Sequence, residues 1–349
     1  MSVALPLETQ TLYAELMEHL IGDKARGPRG SFITKPVKGE TYLYFQASQP
    51  GGSTRQFYLG RKTPTLDRIV RGLEKRTADA TADLVRARRL VAQLRLGGAN
   101  QTDSASARVI KGLAEAGVFD VGGVLVGTHA FVTLGNLLGV RWTSGSLRTQ
   151  DVDIAGSREA DIDVAVPDIE ADVPTALETL KMGFLPVPQL DPKEPSTSFK
   201  VRGQALRVDL LCPLRNTAEN PVFLRRFKAA AQPLAFLDFV MEATERAVVL
   251  DGSGSLVNVP TPARFALHKL AVSQLRPAAF QSKAAKDILQ ASEVLEQVIE
   301  DRPGDLELAW DAVARHGARL KKAIERGLAA LGKSRSDLYR RLRRSADQG

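Results

Sequence analysis

The stretch 124–155, VLVGTHAFVTLGNLLGVRWTSGSLRTQDVDIA, constrains the fold of this chain more than any other. An apolar run ends at Gly127-Thr128. Phe131, Leu134, Leu137 and Leu138 then recur at helical spacing, and a polar loop leads to Asp151-Val152-Asp153-Ile154. The pattern predicts strand, tight turn, helix, loop and strand. Side chains alternate along a strand, so Asp151 and Asp153 share one face while Val152 and Ile154 occupy the other. Two carboxylates aimed together from an apolar strand are costly unless a positive charge lies between them. A divalent cation meets that need, and Mg²⁺ held by one or two carboxylates plus phosphates is its common form.

Composition narrows the setting. A chain of 349 residues buries a substantial core and is expected to hold two or three domains. Hydrophobic content of 44% and charged content of 25% are those of a soluble globular protein. No apolar run approaches the roughly 20 residues of a membrane helix. The opening MSVALPLETQTLY lacks the basic start and apolar stretch of a signal peptide, so a cytoplasmic protein is expected. The single Cys212 excludes an internal disulfide framework and a cysteine-rich zinc site. Lys and Arg number 48 against 40 Asp and Glu, a net charge of +8 that favours a polyanionic partner.

Along the chain, residues 1–62 read as an N-terminal helix and a basic β-hairpin module. Glu8 to Ile21 shows helical periodicity, and 22–39 reads as an exposed Gly, Pro and Lys/Arg-rich loop. Tyr42, Tyr44 and Phe45 then lead into a Pro-Gly-Gly turn, and Phe57, Tyr58 and Leu59 lead out of it. With Arg55, Arg61 and Lys62, such a hairpin suits nucleic acid, by stacking on bases and touching phosphates. Its aromatics serve equally well to pack it on a neighbour. Residues 63–100 read as a long helical arm, one helix or two with a break near Arg76 to Thr81, whose charges form a solvated face. Residues 101–260 read as a catalytic domain, beginning with a helix over Ser106 to Ala116. A second Asp-x-Asp, Asp161 and Asp163, follows an acidic, loop-like approach, so Asp151 and Asp153 are favoured by their place after the Gly-Thr turn. Ala171 to Met182 is expected to be helical. Phe199 to Val201 and Leu206 to Leu211 form a hairpin whose returning strand carries Asp209 among Val208, Leu210 and Leu211. A lone Asp there needs a reason: it is a third ligand of the same metal site, or it is satisfied by Arg207 or a backbone donor. Another hairpin turns at Gly252 to Gly254. Residues 261–349 read as a helical domain with a basic tail from Arg315 to Arg344, the helices expected at Ala263 to Leu275, Ala278 to Ile299 and from Asp305 to Ala330 or beyond.

Val126-Gly127-Thr128, Asp151-Val152-Asp153-Ile154 and Val208-Asp209-Leu210 together resemble the ordered hG[G/S], [D/E]h[D/E]h and h[D/E]h elements of the nucleotidyltransferase superfamily with the DNA-polymerase-β-type fold. Thr128 departs from the usual Gly or Ser, and the interval from Gly127 to Asp151 is longer than in compact members. RTQDVDIA, RVDLLCP, QPLAFLDFV, VPTPARFALHKL and KAAKDILQA resemble one bacterial group of predicted nucleotidyltransferases. The last two are also similar to the helical part of abortive-infection-type nucleotidyltransferase toxins. The resemblance implies an α+β fold: a small mixed-sheet catalytic domain, with the N-terminal hairpin and long helix and a C-terminal helical domain. It implies Asp151, Asp153 and Asp209 as catalytic residues and ligands of Mg²⁺ or Mn²⁺, two ions in all. It implies Gly127, Thr128, Lys269, Arg276, Lys286 and Asp287 as the nucleotide-binding set. His129, beside the turn, either contacts phosphate or is structural.

The expected reaction moves a nucleoside monophosphate from an NTP to an acceptor, with RNA (including tRNA) as the leading acceptor and a toxin-like role with an antitoxin partner as a further implication. Transfer to a protein or small molecule is the second reading. A catalytically silent nucleic-acid-binding regulator on the same fold is the third. No membrane partner is expected.

Overall fold

Glycine-punctuated apolar runs build an α+β fold, described by a computed structural model over residues 2–25, 30–37, 39–48, 54–143, 149–158, 171–215 and 220–346. The chain opens with β1 (Ser2–Ala4) and α1 (Leu7–Ala25). A three-stranded antiparallel sheet of β2 (Gly30–Val37), β3 (Glu40–Ser48) and β4 (Thr54–Arg61) follows. This corrects the expectation of a two-stranded hairpin preceded by a loop. Residues 30–37 pair with β3 along their whole length, and Pro36 is tolerated because β2 is an edge strand.

The arm is a single helix, α2 (Pro64–Leu96), without a break near residue 76. Thr63 caps it by accepting from the Leu66 N–H at 3.2 Å, and Pro64 occupies the first turn, where its missing N–H costs nothing. The C-terminal half of α2 is docked: Ala87, Leu90, Val91 and Leu94 bury against Leu5, Tyr13 and Leu16, and against Val248, Leu250 and Leu256. The Tyr13 hydroxyl accepts from the Val248 N–H at 2.9 Å.

The catalytic region runs through α3 (Ser104–Glu115), β5 (Val124–Val126), α4 (Gly127–Leu137), β6 (Val140–Trp142) and β7 (Asp151–Ala155). It continues with α5 (Val173–Thr179), β8 (Phe184–Pro186), β9 (Ser198–Val201), β10 (Arg207–Pro213), β11 (Val222–Leu224) and β12 (Ala229–Leu234). Among the described residues these give a seven-stranded mixed sheet in the order β11-β12-β10-β7-β5, with β9 pairing the first half of β10 and β8 pairing β9. β7 and β10 are parallel at its centre, and β5 runs antiparallel to β7. β1 pairs with β6, so the chain's start is clipped to the catalytic region. The second Asp-x-Asp, at 161 and 163, lies outside the described residues.

A short helix α6 (Leu237–Met241) and the hairpin of β13 (Thr244–Val249) and β14 (Ser255–Pro260) lead to the C-terminal helices. These are α7 (Pro262–Ser273), α8 (Gln281–Asp301), α9 (Pro303–His316), α10 (Ala318–Gly332) and α11 (Ser336–Ala346). The expected helix from Asp305 divides at Gly317, whose φ of +114° is open to glycine and ends α9. Val152, Ile154, Val208 and Leu210 on the buried sheet face share one continuous core with Phe265, Leu270, Val294 and Leu328 of the helices. Among the described residues no helix is long and apolar enough to cross a membrane.

Candidate active site

The alternation of β7 buries Val152 and Ile154 completely and leaves Asp151 and Asp153 half-buried on the opposite face. Parallel pairing sets Asp209 of β10 directly beside Asp153, and Arg207 beside Asp151. Three carboxylates from two adjacent strands therefore face one cavity of about 950 Å³. Gly127, Thr128, Lys269, Arg276, Lys286 and Asp287 line the same cavity, so all nine residues singled out from the sequence converge on it.

Gly127 is the tightest point. Antiparallel pairing of β5 with β7 places Val126 opposite Asp153, and the chain turns into α4 at φ +66°. A Cβ here would lie 2.0 Å from Oδ2 of Asp153. The backbone conformation and the close approach thus both demand glycine. Among the described residues no side chain caps the start of α4, so its first N–H groups border the cavity as a ready anion cradle. Thr128 is buried, and its hydroxyl receives a hydrogen bond from Nε2 of Gln290 at 3.4 Å, tying α8 to the turn.

The opposite wall is cationic. Phe265, His268, Lys269 and Val272 face the cavity at helical spacing on α7, as do Lys283, Lys286 and Asp287 on α8. Lys269 donates to Oδ1 of Asp287 at 2.7 Å and Arg276 to Oδ2 at 2.6 Å. Both oxygens of that buried carboxylate face protein cations, so Asp287 enters the site as the anchor of Lys269 and Arg276. Burial opposes its ionisation, but the two cations prevail and hold Asp287 below the ordinary carboxylate range. Lys286 is shifted down by burial and then by Lys269, against the pull of Asp287, Asp151 and Asp153.

Asp153 is pushed up to about 7, first by withdrawal from water and then by Asp209; Lys269 counters, Asp151 adds to the rise and Lys283 counters again. A carboxylate that resists ionisation among other carboxylates is a site short of positive charge. The donor set, hard oxygens beside a phosphate-sized cradle, suits Mg²⁺. Among the described residues no three His, Cys, Asp or Glu side chains form a metal cage by themselves. Mg²⁺ needs none, because it takes one or two carboxylates and completes its shell with phosphate and water. Asp209 is already engaged: Ser198 Oγ donates to its Oδ1 at 2.5 Å and Arg207 Nε at 2.6 Å, while Arg207 also donates to Ser198 Oγ at 2.8 Å. The alternative reading of Asp209, satisfaction by Arg207, is present in the structure. The carboxylate remains chemically fit for a metal.

Ser198 and Lys283 also line the cavity, beyond the residues that the sequence singles out. Ser198 is the register partner of Asp209 across β9 and β10, and Lys283 precedes Lys286 by three residues on the same helix face. His129 is buried outside the cavity lining, with no hydrogen-bond partner at either ring nitrogen among the described residues. Burial foremost pushes it down to about 4, Lys286 adding to that and Asp103 opposing it, so it packs as a neutral ring.

A family model described as nucleotidyltransferase matches residues 104–315. Comparison with curated proteins gives no match. Among solved structures, an antigenic nucleotidyltransferase-like protein from Paracoccidioides brasiliensis is similar at 16% identity and a TM-score of 0.40, over 70% of this chain and 94% of that one.

Proposed function

The chain belongs to the nucleotidyltransferase family, and we propose that it moves a nucleoside monophosphate from an NTP to an acceptor hydroxyl of RNA. The observation that carries this reading is a single cavity in which three strand-borne carboxylates face Lys269, Arg276, Lys283 and Lys286. Asp151, Asp153 and Asp209 would hold two Mg²⁺ or Mn²⁺ ions. When bound, such ions neutralise the triphosphate and lower the pKa of the attacking hydroxyl. The uncapped start of α4 and the Gly127 backbone receive phosphate oxygens. Lys269, Arg276 and Lys286 oppose the charge that gathers on pyrophosphate as it departs. Asp209 orients the acceptor hydroxyl and takes its proton while the hydroxyl oxygen bonds the α-phosphorus and the bond to pyrophosphate breaks.

Charge supports RNA over a cationic small molecule. Arg207, Lys269, Arg276, Lys283, Lys286 and Arg319 line the cavity. Asp287, the lining carboxylate outside the metal set, is neutralised by two of them. The engagement of Asp209 by Arg207 and Ser198 favours one second reading, a catalytically silent nucleic-acid binder. Incorporation of labelled NMP from each NTP with Mg²⁺, offering total RNA, tRNA and the protein itself, separates the two. Transfer by the wild type that is lost in Asp153→Ala is expected. Equal background from both proteins would overturn the transferase reading.

A further inference from the structure

The chain's positive charge is concentrated away from the catalytic region. Residues 24–62 hold eight Lys and Arg and one acidic residue, Glu40, and so carry +7 of the chain's net +8. Within it, Gly30–Val37, Glu40–Ser48 and Thr54–Arg61 form the β2–β4 sheet, whose two faces differ sharply. Phe32, Phe45 and Phe57 are register partners on one face, where Leu43 is also buried. Ile33, Tyr44 and Tyr58 are register partners on the other, beside Lys35, Tyr42 and Arg61 in the next row.

On that second face the tyrosines form a cluster. The Tyr58 ring lies 5.5 Å from Tyr44 and 6.1 Å from Tyr42, and Tyr58 is 60% exposed. Lys35 Nζ sits 4.9 Å from the Tyr44 centroid and donates to Gln56 Oε1 at 2.6 Å. Gln56 in turn donates to Gln46, extending a row of amide groups beside the rings. Glu40, the segment's acidic residue, is neutralised by Arg61 at 2.6 Å. An exposed tyrosine ring beside two half-buried ones, side-chain amides and a surplus of Lys and Arg in the same segment are what unstacked bases and phosphates require together. Tyrosine supplies stacking area that a merely electrostatic patch lacks.

We propose that the Tyr42–Tyr44–Tyr58 face of the β2–β4 sheet is a docking platform for single-stranded RNA, separate from the catalytic cavity. The platform names where the acceptor is held, and in that sense rests on the transferase reading; its binding needs neither NTP nor metal. The test is fluorescence anisotropy of a labelled, mixed-sequence 20-nucleotide single strand with the full chain in EDTA. Tyr44→Ala/Tyr58→Ala is expected to weaken binding about tenfold or more, since stacking on two rings is lost. Tyr58→Phe keeps the ring face and is expected to stay within about twofold of wild type. A melting temperature for the double variant equal to that of wild type shows that the fold is kept. Undiminished binding by the folded double variant would overturn the platform. So would wild type that binds no single strand, or polyglutamate that competes as well as RNA. Loss of NMP transfer with RNA binding intact would count against the transferase reading alone.

Discussion

Gly127 and Asp153 share one space: the carboxylate fills the volume that any side chain on residue 127 would need, with Oδ2 only 2.0 Å from the missing Cβ. The turn that offers backbone N–H groups and the strand that offers charge are thereby locked at contact distance.

Gly127→Ala is therefore expected to cost about 2–4 kcal/mol, combining the left-handed backbone penalty with overpacking against Asp153. Urea denaturation measures the loss, and NMP transfer should fall below detection because the carboxylate must move. Wild-type stability in this variant would show that the turn has slack.

Asp153→Asn should raise the melting temperature in EDTA at pH 8 while abolishing stabilisation by Mg²⁺. The folded-state value of about 7 lies above the ordinary 3.8, so the fold prefers the protonated acid. Ionisation thus costs stability progressively as pH rises from about 4 to about 7, and the cost is complete above that window. Without metal, this group makes wild type less stable across that rise, by an amount on the order of a few kcal/mol. The amide removes the dependence. Thermal melts across the window, with and without metal, give the readout; a lower melting point for the variant at pH 8 in EDTA would contradict the assignment.

Removing the anchor of the cationic wall should be severe. Asp287→Asn leaves the buried Lys269, and Arg276 at the cavity's more open edge, without their shared counter-charge, and a loss of about 3–5 kcal/mol is expected. Lys269→Met should cost less, because Arg276 still pairs with Asp287. Denaturation of both variants ranks them, and a reversed order would reassign the anchoring role.

Arg207→Ala frees Oδ1 of Asp209 from a guanidinium that competes with any metal. Calorimetric titration with Mn²⁺ should show tighter binding than wild type by several-fold. Unchanged affinity would place Asp209 outside the metal set.

The sequence made the catalytic strands legible because their signals are local. A glycine stop, alternation on β7 and one carboxylate on β10 need only period-two geometry. The register that sets Asp209 beside Asp153 is long-range, and so is the pairing of Ser198 with Asp209. Lys283 was within reach, since its spacing to Lys286, Asp287 and Gln290 repeats one helix face. Strand β2 was not, because 30–37 carries Gly, Pro and Lys and becomes a strand only through pairing with β3. The 3₁₀ turn and αL residue at Arg225–Lys228 likewise follow from tertiary context.

The continuous core has an energetic consequence. The carboxylate strands and the cationic helices belong to one continuous buried cluster, Val152 and Leu210 being linked to Phe265 and Val294 through α4 and α6, which touch both. A boundary drawn at residue 260 for expression would leave α4 and α6 bare where α7 and α8 cover them, so the part before it is expected to lose stability. Ligand binding at the cavity would then be felt by the sheet and these helices together, and a substitution deep in α10 could loosen substrate affinity without touching substrate.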